Sequence, residues 1–383
     1  MPIFRISSEP RQMKKLNFNV PLFDLSYNNR KIRDHIIAVV ERHIETSTFI
    51  LGPDVKLFED KFSKLIKCNY TVGVNSGTDA LIIALKALKI GPGDEVITVP
   101  NSYVATAQAI SLVGAKPVFV DVERTTMNMD LNKVKNVINE NTKAVIPVHL
   151  FGFPVDIFKL RKIVGDDIYI VEDCAQSHGA TVGEHLTGSM GDVNCFSLHP
   201  AKVLASLGDS GVITTNNESL YEKCLLYRNF GLEDRDSTIL IGYNSRLDNI
   251  YAAIMYKKLD IIQDSLNRRL NNASIYYNEL STLSKLTLPP NIDGYKNVHN
   301  FFVIRTDNRK ELIDYLLSQS IETKVHYPIP IHLQKCYQDL GYSIGDFPNA
   351  EDDAKTMLSI PVAEHLGQDQ ISFVSKKIKT FFN

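Results

Sequence analysis

The chain has 383 residues, and its 42 lysines and arginines against 44 aspartates and glutamates give a formal charge of −2. Hydrophobic residues make up 44% and charged residues 22%, a balance typical of soluble globular proteins and too apolar for a disordered chain. The near-neutral charge argues against a dedicated nucleic-acid-binding protein, but it is compatible with a small anionic substrate held by a few cations.

The five cysteines are scattered and odd in number, and no two have CxxC spacing, so they indicate neither a disulfide framework nor a metal site. No apolar run approaches the ~20 residues of a membrane span, and the N-terminus lacks the apolar core of a secretory signal. We therefore expect a cytoplasmic protein that binds neither membranes nor nucleic acid. Because Met13 has the context of a natural start, we interpret residues 1–12 as a tag remnant or a misplaced start.

Short apolar runs alternate with helical patterns over the first half of the chain. Strand-like runs lie at 71–74, 95–100, 117–122, 143–150 and 168–173, and helical patterns lie at 79–88 and 104–113. Nearly continuous apolar runs are typical of strands covered on both faces, and their alternation with helices predicts a mostly parallel sheet. Two further runs, at 193–198 and 211–216, have no long helix between them. They fit either an antiparallel pair or separate members of the sheet.

The second half of the chain begins with a helical pattern from about 248 to 283, and the polar segment 286–295 after it indicates a domain boundary. Beyond this segment we predict a strand at 301–306, a helix at 309–319, a short strand at 322–326 and terminal helices. The predicted fold class is α/β. A large domain, with a mixed, mostly parallel sheet flanked by helices, covers 31–285, a smaller C-terminal α+β domain covers 286–383, and residues 1–30 form an N-terminal segment.

Two common nucleotide-binding motifs are absent, since no GxGxxG follows a strand and no GxxxxGK[ST] occurs. Nicotinamide-dependent oxidoreductases and P-loop NTPases are therefore poor candidates. The chemistry has to be sought in polar residues that follow other strands.

Asp173 and Lys202 form the most informative polar pair. Asp173 ends a strongly apolar strand, and the carboxyl ends of such strands open onto the ligand crevice of an α/β sheet. Taken alone, Asp173 is equally well explained as a helix cap or turn residue, and Lys202 is better explained as a surface lysine. Together they are what pyridoxal phosphate (PLP) requires: a lysine that forms a Schiff base with its aldehyde, and an acid that keeps its pyridine nitrogen protonated.

Residues 75–80, between a predicted strand and a predicted helix, fit a phosphate site. Gly77 lets an anion approach the backbone closely, and the amides of Gly77 and Thr78 begin the helix. A plain helix capped by Ser76 or Thr78 explains the same residues equally well, so this segment by itself leaves both interpretations open.

These segments together resemble the DegT/DnrJ/EryC1/StrS family of PLP-dependent nucleotide-sugar aminotransferases, which share the type I fold of aspartate aminotransferase. The resemblance covers almost the whole chain. The matching stretches are LGPDVKLFE (51–59), NSGTDAL (75–81), GPGDEVITVPNSYVATAQAI (91–110), VFVDV (118–122), VHLFG (148–152), VEDCAQSHGA (171–180), FSLHPAK (196–202), LGDSGVITT (207–215), GYNSRLDNIYAAI (242–254) and HYPIPIHLQ (326–334).

The resemblance implies PLP as the cofactor and a role for each residue around its ring. Lys202 would form the covalent link to the cofactor and move the proton during catalysis. Asp173 would pair with the pyridine nitrogen, and Gln176 would hydrogen-bond the phenolic oxygen. Tyr103 would stack on the face of the ring.

The cofactor's phosphate would be held by Gly77, Thr78 and Ser197, joined by Asn244 from a neighbouring subunit. The resemblance therefore implies a homodimer with its active sites at the two-fold interface. Some family members have histidine at the position of Lys202 and act as dehydratases, so the lysine favours transamination.

Substrate contacts are implied for Arg246, His326, Tyr327 and His332, and Arg228 is a further candidate for binding an anion. A structural role for either arginine, or a simple turn at residues 326–334, explains these residues as well. The HYPIPIH stretch resembles members that aminate C3 of a 3-keto sugar. We therefore expect a dTDP-linked (or UDP-linked) 3-keto-6-deoxyhexose as substrate and glutamate as amino donor. The alternatives are an aminotransferase acting at C4, a PLP-dependent sugar dehydratase, and a non-catalytic regulatory protein of the same fold.

Overall fold

The computed structural model describes residues 18–383, and the interpretation of residues 1–12 lies outside them. The elements follow in this order: α1 (Tyr27–Lys31), α2 (Arg33–Thr46), α3 (Pro53–Ile66), β1 (Tyr70–Val74), α4 (Gly77–Ala87), β2 (Glu95–Thr98), α5 (Ala105–Leu112), β3 (Lys116–Phe119), α6 (Leu131–Val134), β4 (Thr142–Val145), α7 (Ile157–Val164), β5 (Tyr169–Asp173), β6 (Thr181–Val182), β7 (His185–Leu186), β8 (Val193–Ser197), β9 (Gly211–Thr215), α8 (Glu218–Arg228), α9 (Asn249–Lys258), α10 (Ile262–Leu280), β10 (Tyr295–Lys296), β11 (Phe302–Arg305), α11 (Arg309–Ser318), α12 (Pro348–Thr356), β12 (Met357–Ile360) and α13 (Gln368–Phe382). Within this described range, no helix combines the length and apolarity needed to cross a membrane.

A seven-stranded sheet in the order β1-β9-β8-β5-β4-β2-β3 forms the centre of the molecule. Strand β9 runs antiparallel to both of its neighbours, and the other neighbouring pairs are parallel. This confirms the predicted fold class. The runs at 193–198 and 211–216 are therefore both sheet members and an antiparallel pair. Because β5, β8 and β4 are parallel, their carboxyl ends meet at one edge of the sheet.

Helices cover both faces of this sheet, which explains why its strands are almost continuously apolar. In β2, Val96 joins a buried cluster with Ile83 of α4, whereas its neighbour Ile97 joins a second cluster with Leu160 of α7. Successive side chains of a strand point to opposite faces. A strand covered by helices on both faces therefore needs apolar residues at consecutive positions.

The C-terminal segment builds a separate apolar cluster around the antiparallel pair β11 and β12. Tyr276 and Leu280 of α10 pack into it together with Ile371 and Val374 of α13. The end of α10 therefore packs with the C-terminal segment. The division into domains at residue 286 remains a prediction.

Two sequence expectations differ from the structure. The predicted helix over 248–283 is two helices, because α9 packs on α3 whereas α10 packs on α13, and the chain turns at 259–261 between these partners. The predicted strand at 322–326 does not form. The Glu322 carboxylate instead accepts the Leu22 N–H at 2.8 Å, and only Lys324 bridges to Ser359 of β12.

Candidate active site

The predicted acid and lysine lie together at the carboxyl edge of the sheet. Asp173 is the last residue of β5 and pairs in register with Cys195 of β8, which continues to Ser197. Lys202 follows in the turn between β8 and β9. The charge of Asp173 acts on the pKa of the Lys202 amine, so the two groups lie near each other at this edge.

The Asp173 carboxylate is buried, and no charged side chain of the described residues forms a salt bridge with it. The residue is 5% exposed, and its carboxylate oxygens accept hydrogen bonds from the Thr106 hydroxyl at 2.9 Å and the Ala175 N–H at 3.1 Å. Burial raises the pKa of this carboxyl, and these two hydrogen bonds oppose the rise. Both hydrogen-bond donors are neutral, and the charge of Lys202 acts on the carboxylate only from beyond salt-bridge distance, so a cationic ring nitrogen in direct contact would complete the site, as PLP requires.

The Lys202 side chain has the electrostatics of a nucleophile. Burial lowers its pKa from the ordinary lysine value to about 8, and the nearby Asp173 carboxylate partly opposes this shift. About a tenth of the side chain is therefore a free amine at pH 7, far more than for an ordinary lysine, and this is the form that attacks an aldehyde.

The hydrogen bonds of Gln176 fix the orientation of its amide. Its Oε1 accepts the Phe151 N–H at 2.7 Å, so its NH₂ group points the other way, where it donates to the Tyr327 hydroxyl at 3.4 Å. A backbone N–H can only donate, which excludes the flipped amide. Gln176 therefore presents a donor to the cleft, as expected for a contact with a phenolic oxygen.

Aromatic side chains line the same side of the cleft. Tyr103 is 57% exposed, and its ring centroid lies 5.6 Å from that of Tyr327. His326 stacks on Phe301 at 4.1 Å and its Nδ1 lies 2.8 Å from the Ser359 hydroxyl. Burial lowers the pKa of His326 to about 4, so its imidazole is neutral near neutral pH. The structure thus brings Tyr103, Gln176, His326 and Tyr327 together.

The first turn of α4 lies against the end of β8 and forms a backbone cradle. Ser76 is the N-cap and accepts the Asp79 N–H at 3.0 Å, so Ser76 rather than Thr78 caps the helix. The amides of Gly77 and Thr78 have no intrahelical acceptor and are available to an anion. A Cβ on Gly77 would lie 2.6 Å from the Ser197 Cβ, which explains the need for glycine here.

We expect Gly77→Ala to weaken cofactor binding by about 10- to 100-fold, because the new methyl group would push Ser197 away from α4 and disturb the cradle. Fluorescence titration of the cofactor-free protein with PLP measures this change. The matched control is Gly91→Ala, whose Cβ would meet only the Val113 carbonyl oxygen at 3.6 Å. Equal PLP affinities for the two variants would contradict the cradle.

Asn244 and Arg246 lie outside this cluster within a single chain. Asn244 is exposed and forms an isolated bridge with Asn229. Arg246 donates to the Asn229 side chain at 3.1 Å, and its guanidinium lies 5.3 Å from the Phe230 ring centroid. The contacts of these two residues in the described chain are therefore with Asn229 and Phe230 rather than with the residues around Asp173 and Lys202.

Arg228 and His332 have structural environments. Arg228 is buried and forms an ion pair with Glu59 at 2.5 Å, which links α8 to α3. His332 is buried beside Glu351 of α12, with Nε2 3.2 Å from the carboxylate. We therefore leave both residues out of the substrate-binding set.

The structure also places residues at the site that the sequence reasoning missed. Thr106, in the first turn of α5, reaches Asp173 from a distant part of the chain. His149 and Glu172 form a fully buried pair, with Nε2 and Oε2 2.8 Å apart, on the opposite side of β5 from Asp173. Glu172 could have been noticed from the sequence, because an acidic residue inside an apolar strand is unusual. No feature of the sequence around Thr106 indicated its contact with Asp173.

Comparison with known proteins gives one consistent family. The model of the DegT/DnrJ/EryC1/StrS aminotransferase family matches residues 30–379. The pleiotropic regulatory protein of Geobacillus stearothermophilus is 37% identical over 367 residues, or 95% of this chain and 99% of that protein. The dTDP-3-amino-3,4,6-trideoxy-alpha-D-glucose transaminase of Streptomyces venezuelae is 36% identical over 352 residues, or 92% of this chain and 93% of that protein.

Solved structures share the fold over nearly the whole chain. S. venezuelae DesV in complex with a ketimine intermediate matches with a TM-score of 0.93 and 35% identity, covering 96% of this chain and 99% of DesV. NtdA from Bacillus subtilis with the bound cofactor PMP matches with a TM-score of 0.84 and 28% identity, covering 94% of this chain and 88% of NtdA.

Proposed function

Because this chain belongs to the DegT/DnrJ/EryC1/StrS aminotransferase family, we propose that it transfers an amino group from glutamate to a dTDP-linked 3-keto-6-deoxyhexose. It is a PLP-dependent nucleotide-sugar aminotransferase. The observation that carries the proposal is the position of the buried Asp173 at the end of β5 and of Lys202 in the turn after the neighbouring β8, close enough for the Asp173 charge to act on the Lys202 amine.

When bound, PLP supplies an aldehyde that accepts the amino group and a ring that withdraws electrons from the reacting carbon. In our proposal the Asp173 carboxylate binds the ring nitrogen, and Gln176 donates to the phenolic oxygen. Tyr103 covers one face of the ring. The residues that would hold the phosphate are Gly77, Thr78 and Ser197.

Lys202 has two tasks in this proposal. Its Nζ would hold the cofactor through its aldehyde, and as a free amine it would accept the proton that leaves the α-carbon of the donor. Both tasks need an unprotonated Nζ, which the pKa of about 8 supplies. In the second half of the reaction the protonated Nζ would return a proton to the sugar carbon that carries the nitrogen.

A panel of dTDP- and UDP-linked keto sugars tests the substrate, with glutamate as donor, mass spectrometry for amination and NMR for the position of the nitrogen. We expect an amine at C3 of a dTDP-linked 6-deoxyhexose. An amine at C4, or loss of water without amination, would replace this substrate by one of the alternatives. A colourless protein that gains no absorbance with added PLP would favour a non-catalytic protein.

We also propose that two copies of the chain form the working enzyme. The loop before Asn244 presents Phe230, Ile239 and Ile241 to solvent, and Ile241 is 95% exposed. Large apolar side chains exposed together mark a protein–protein interface. An interface there would carry Asn244 towards the partner's phosphate cradle, which supports the role that the family resemblance implies for it.

We expect Ile241→Glu to shift the protein from dimer to monomer and to lower activity at least about tenfold, because a buried unpaired charge weakens an interface by several kcal/mol. Sedimentation velocity measures the oligomeric state, and the glutamate half-reaction measures activity. Ile344→Glu is the matched control, since Ile344 is 79% exposed in the C-terminal segment. If Ile241→Glu were an active monomer, the partner's contribution to the site would be wrong.

A further inference from the structure

A second lysine is buried next to the turn that carries Lys202. Lys258, the last residue of α9, is 4% exposed, and its ammonium donates to the backbone carbonyl of Ala205 at 2.5 Å. Lysine is almost never fully buried without a partner, because a desolvated charge is costly. Here the hydrogen-bond partner is a backbone carbonyl rather than a carboxylate. Burial lowers the pKa of Lys258 to about 8.

The Ala205 carbonyl belongs to the same turn as Lys202. This turn leaves the sheet at Leu198 and closes on itself where the Ser206 N–H donates to the Leu198 carbonyl at 2.7 Å. Lys258 extends from α9 and hydrogen-bonds this turn at Ala205, three residues after Lys202. Both lysines line one polar cavity. Loss of the hydrogen bond to Ala205 would therefore change the position of Lys202.

The carboxylate whose charge acts on Lys258, Glu364, is already engaged by other groups. Glu364 forms an ion pair with Arg269 at 2.6 Å and accepts a hydrogen bond from Asn28 at 2.8 Å. Its charge favours the protonated form of Lys258 without forming a salt bridge with it. Glu364 thus partly offsets the effect of burial on Lys258, and the hydrogen bond of the side chain goes to Ala205.

We propose that Lys258 is a positioning residue whose hydrogen bond to Ala205 holds the turn so that the Lys202 amine faces the cofactor cleft. The proposal rests on the proposed role of Lys202. Lys258 itself touches neither cofactor nor substrate. It acts by fixing the position from which the Lys202 amine attacks. Small displacements of a reacting group lower the reaction rate strongly.

The test compares Lys258→Met, which keeps the length of the side chain without a donor, with Lys258→Arg, which keeps a cationic donor. Lys257→Met is the matched control, because Lys257 is the neighbouring residue and its ammonium lies on the surface at 3.0 Å from Asp260. At saturating PLP, borohydride reduction followed by peptide mass spectrometry gives the fraction of Lys202 linked to the cofactor. Steady-state kinetics gives kcat and the KM for glutamate.

For Lys258→Met we expect kcat about tenfold lower or more, an unchanged KM for glutamate and a smaller linked fraction of Lys202. Lys258→Arg should recover most of the linked fraction, and Lys257→Met should match the wild type. If Lys258→Met does not fold, Lys258→Gln, which is too short to reach the carbonyl, takes its place.

The proposal would be overturned if Lys258→Met, or Lys258→Gln in its place, had the wild-type kcat and the wild-type fraction of Lys202 linked to PLP. Equal losses in the methionine and arginine variants, with equal falls in thermal midpoint, would also overturn it in favour of a purely structural lysine. If the wild type itself did not link PLP to Lys202, the proposed function would fail instead, so the two failures are distinguishable.

Discussion

Replacing Lys202 by alanine should abolish the visible absorbance band of the PLP-bound protein near ~400 nm and lower kcat/KM by about 10³- to 10⁴-fold or more. The loss is large because one atom, Nζ, both binds the cofactor aldehyde and moves the proton. Lys202→Arg should lose as much, since a guanidinium keeps the charge but does not deprotonate to a nucleophile. Absorbance spectra and the glutamate half-reaction measure both effects.

Lys257→Ala provides the control for Lys202→Ala, because it also removes one lysine but from the surface. It should keep the absorbance band and the rate. A Lys202→Ala protein with the wild-type band and turnover would show that another group binds the cofactor.

The pH dependence of cofactor attachment follows from the same lysine. Only the free amine attacks the aldehyde, so the rate at which cofactor-free protein takes up PLP should rise with pH and level off above about pH 8. An unperturbed lysine would level off only above about pH 10. Stopped-flow absorbance across this range distinguishes the two.

The sequence predicted the sheet well because its strands carry their own signal. Val96 and Ile97 face different clusters, and the resulting unbroken apolar run distinguishes a doubly covered strand from an exposed one. The turn between α9 and α10 carried no such signal. No glycine or proline occurs at 259–261, and only the different packing partners of the two helices separate them.

The candidate site likewise contains residues that the sequence could identify and residues that it could not. Asp173 and Lys202 were identifiable because Asp173 ends an apolar strand and Lys202 follows soon after another. Thr106 contacts Asp173 over 67 positions and Lys258 contacts Ala205 over 53, and no local pattern encodes such contacts. Asn244 differs again, because it is exposed in the described chain and its proposed contact with a cofactor depends on a second chain.

Asp173→Asn should lower kcat/KM by about 10³-fold or more while stabilising the cofactor-free protein. The neutral amide cannot hold a proton on the ring nitrogen, so the ring would lose its electron-withdrawing power. The substitution keeps the local geometry. Its Oδ1 can still accept the Ala175 N–H, and its NH₂ can donate to the Thr106 hydroxyl, which also accepts. The loss of activity would therefore report the charge rather than the fold.

The stability gain follows from the sign of the pKa shift. Burial raises the pKa of Asp173 in the folded protein, so stability falls as pH rises from the unfolded pKa through the folded one. Above both values the charged carboxylate keeps the full burial cost, which an asparagine removes. Thermal unfolding of the cofactor-free protein should thus show a higher midpoint for Asp173→Asn at neutral pH, and the difference should shrink in acid.

Two variants separate the charge of Asp173 from its surroundings. Thr106→Val removes one hydrogen bond to the carboxylate and should lower kcat/KM only about tenfold. Asp60→Asn removes a surface carboxylate bound to Lys56 and should change neither activity nor midpoint. Wild-type turnover in Asp173→Asn would contradict the pairing of this acid with the ring nitrogen. A lower midpoint of the cofactor-free variant would show that the buried charge has a stabilising partner in the folded chain, and would remove the reason to expect a cation there.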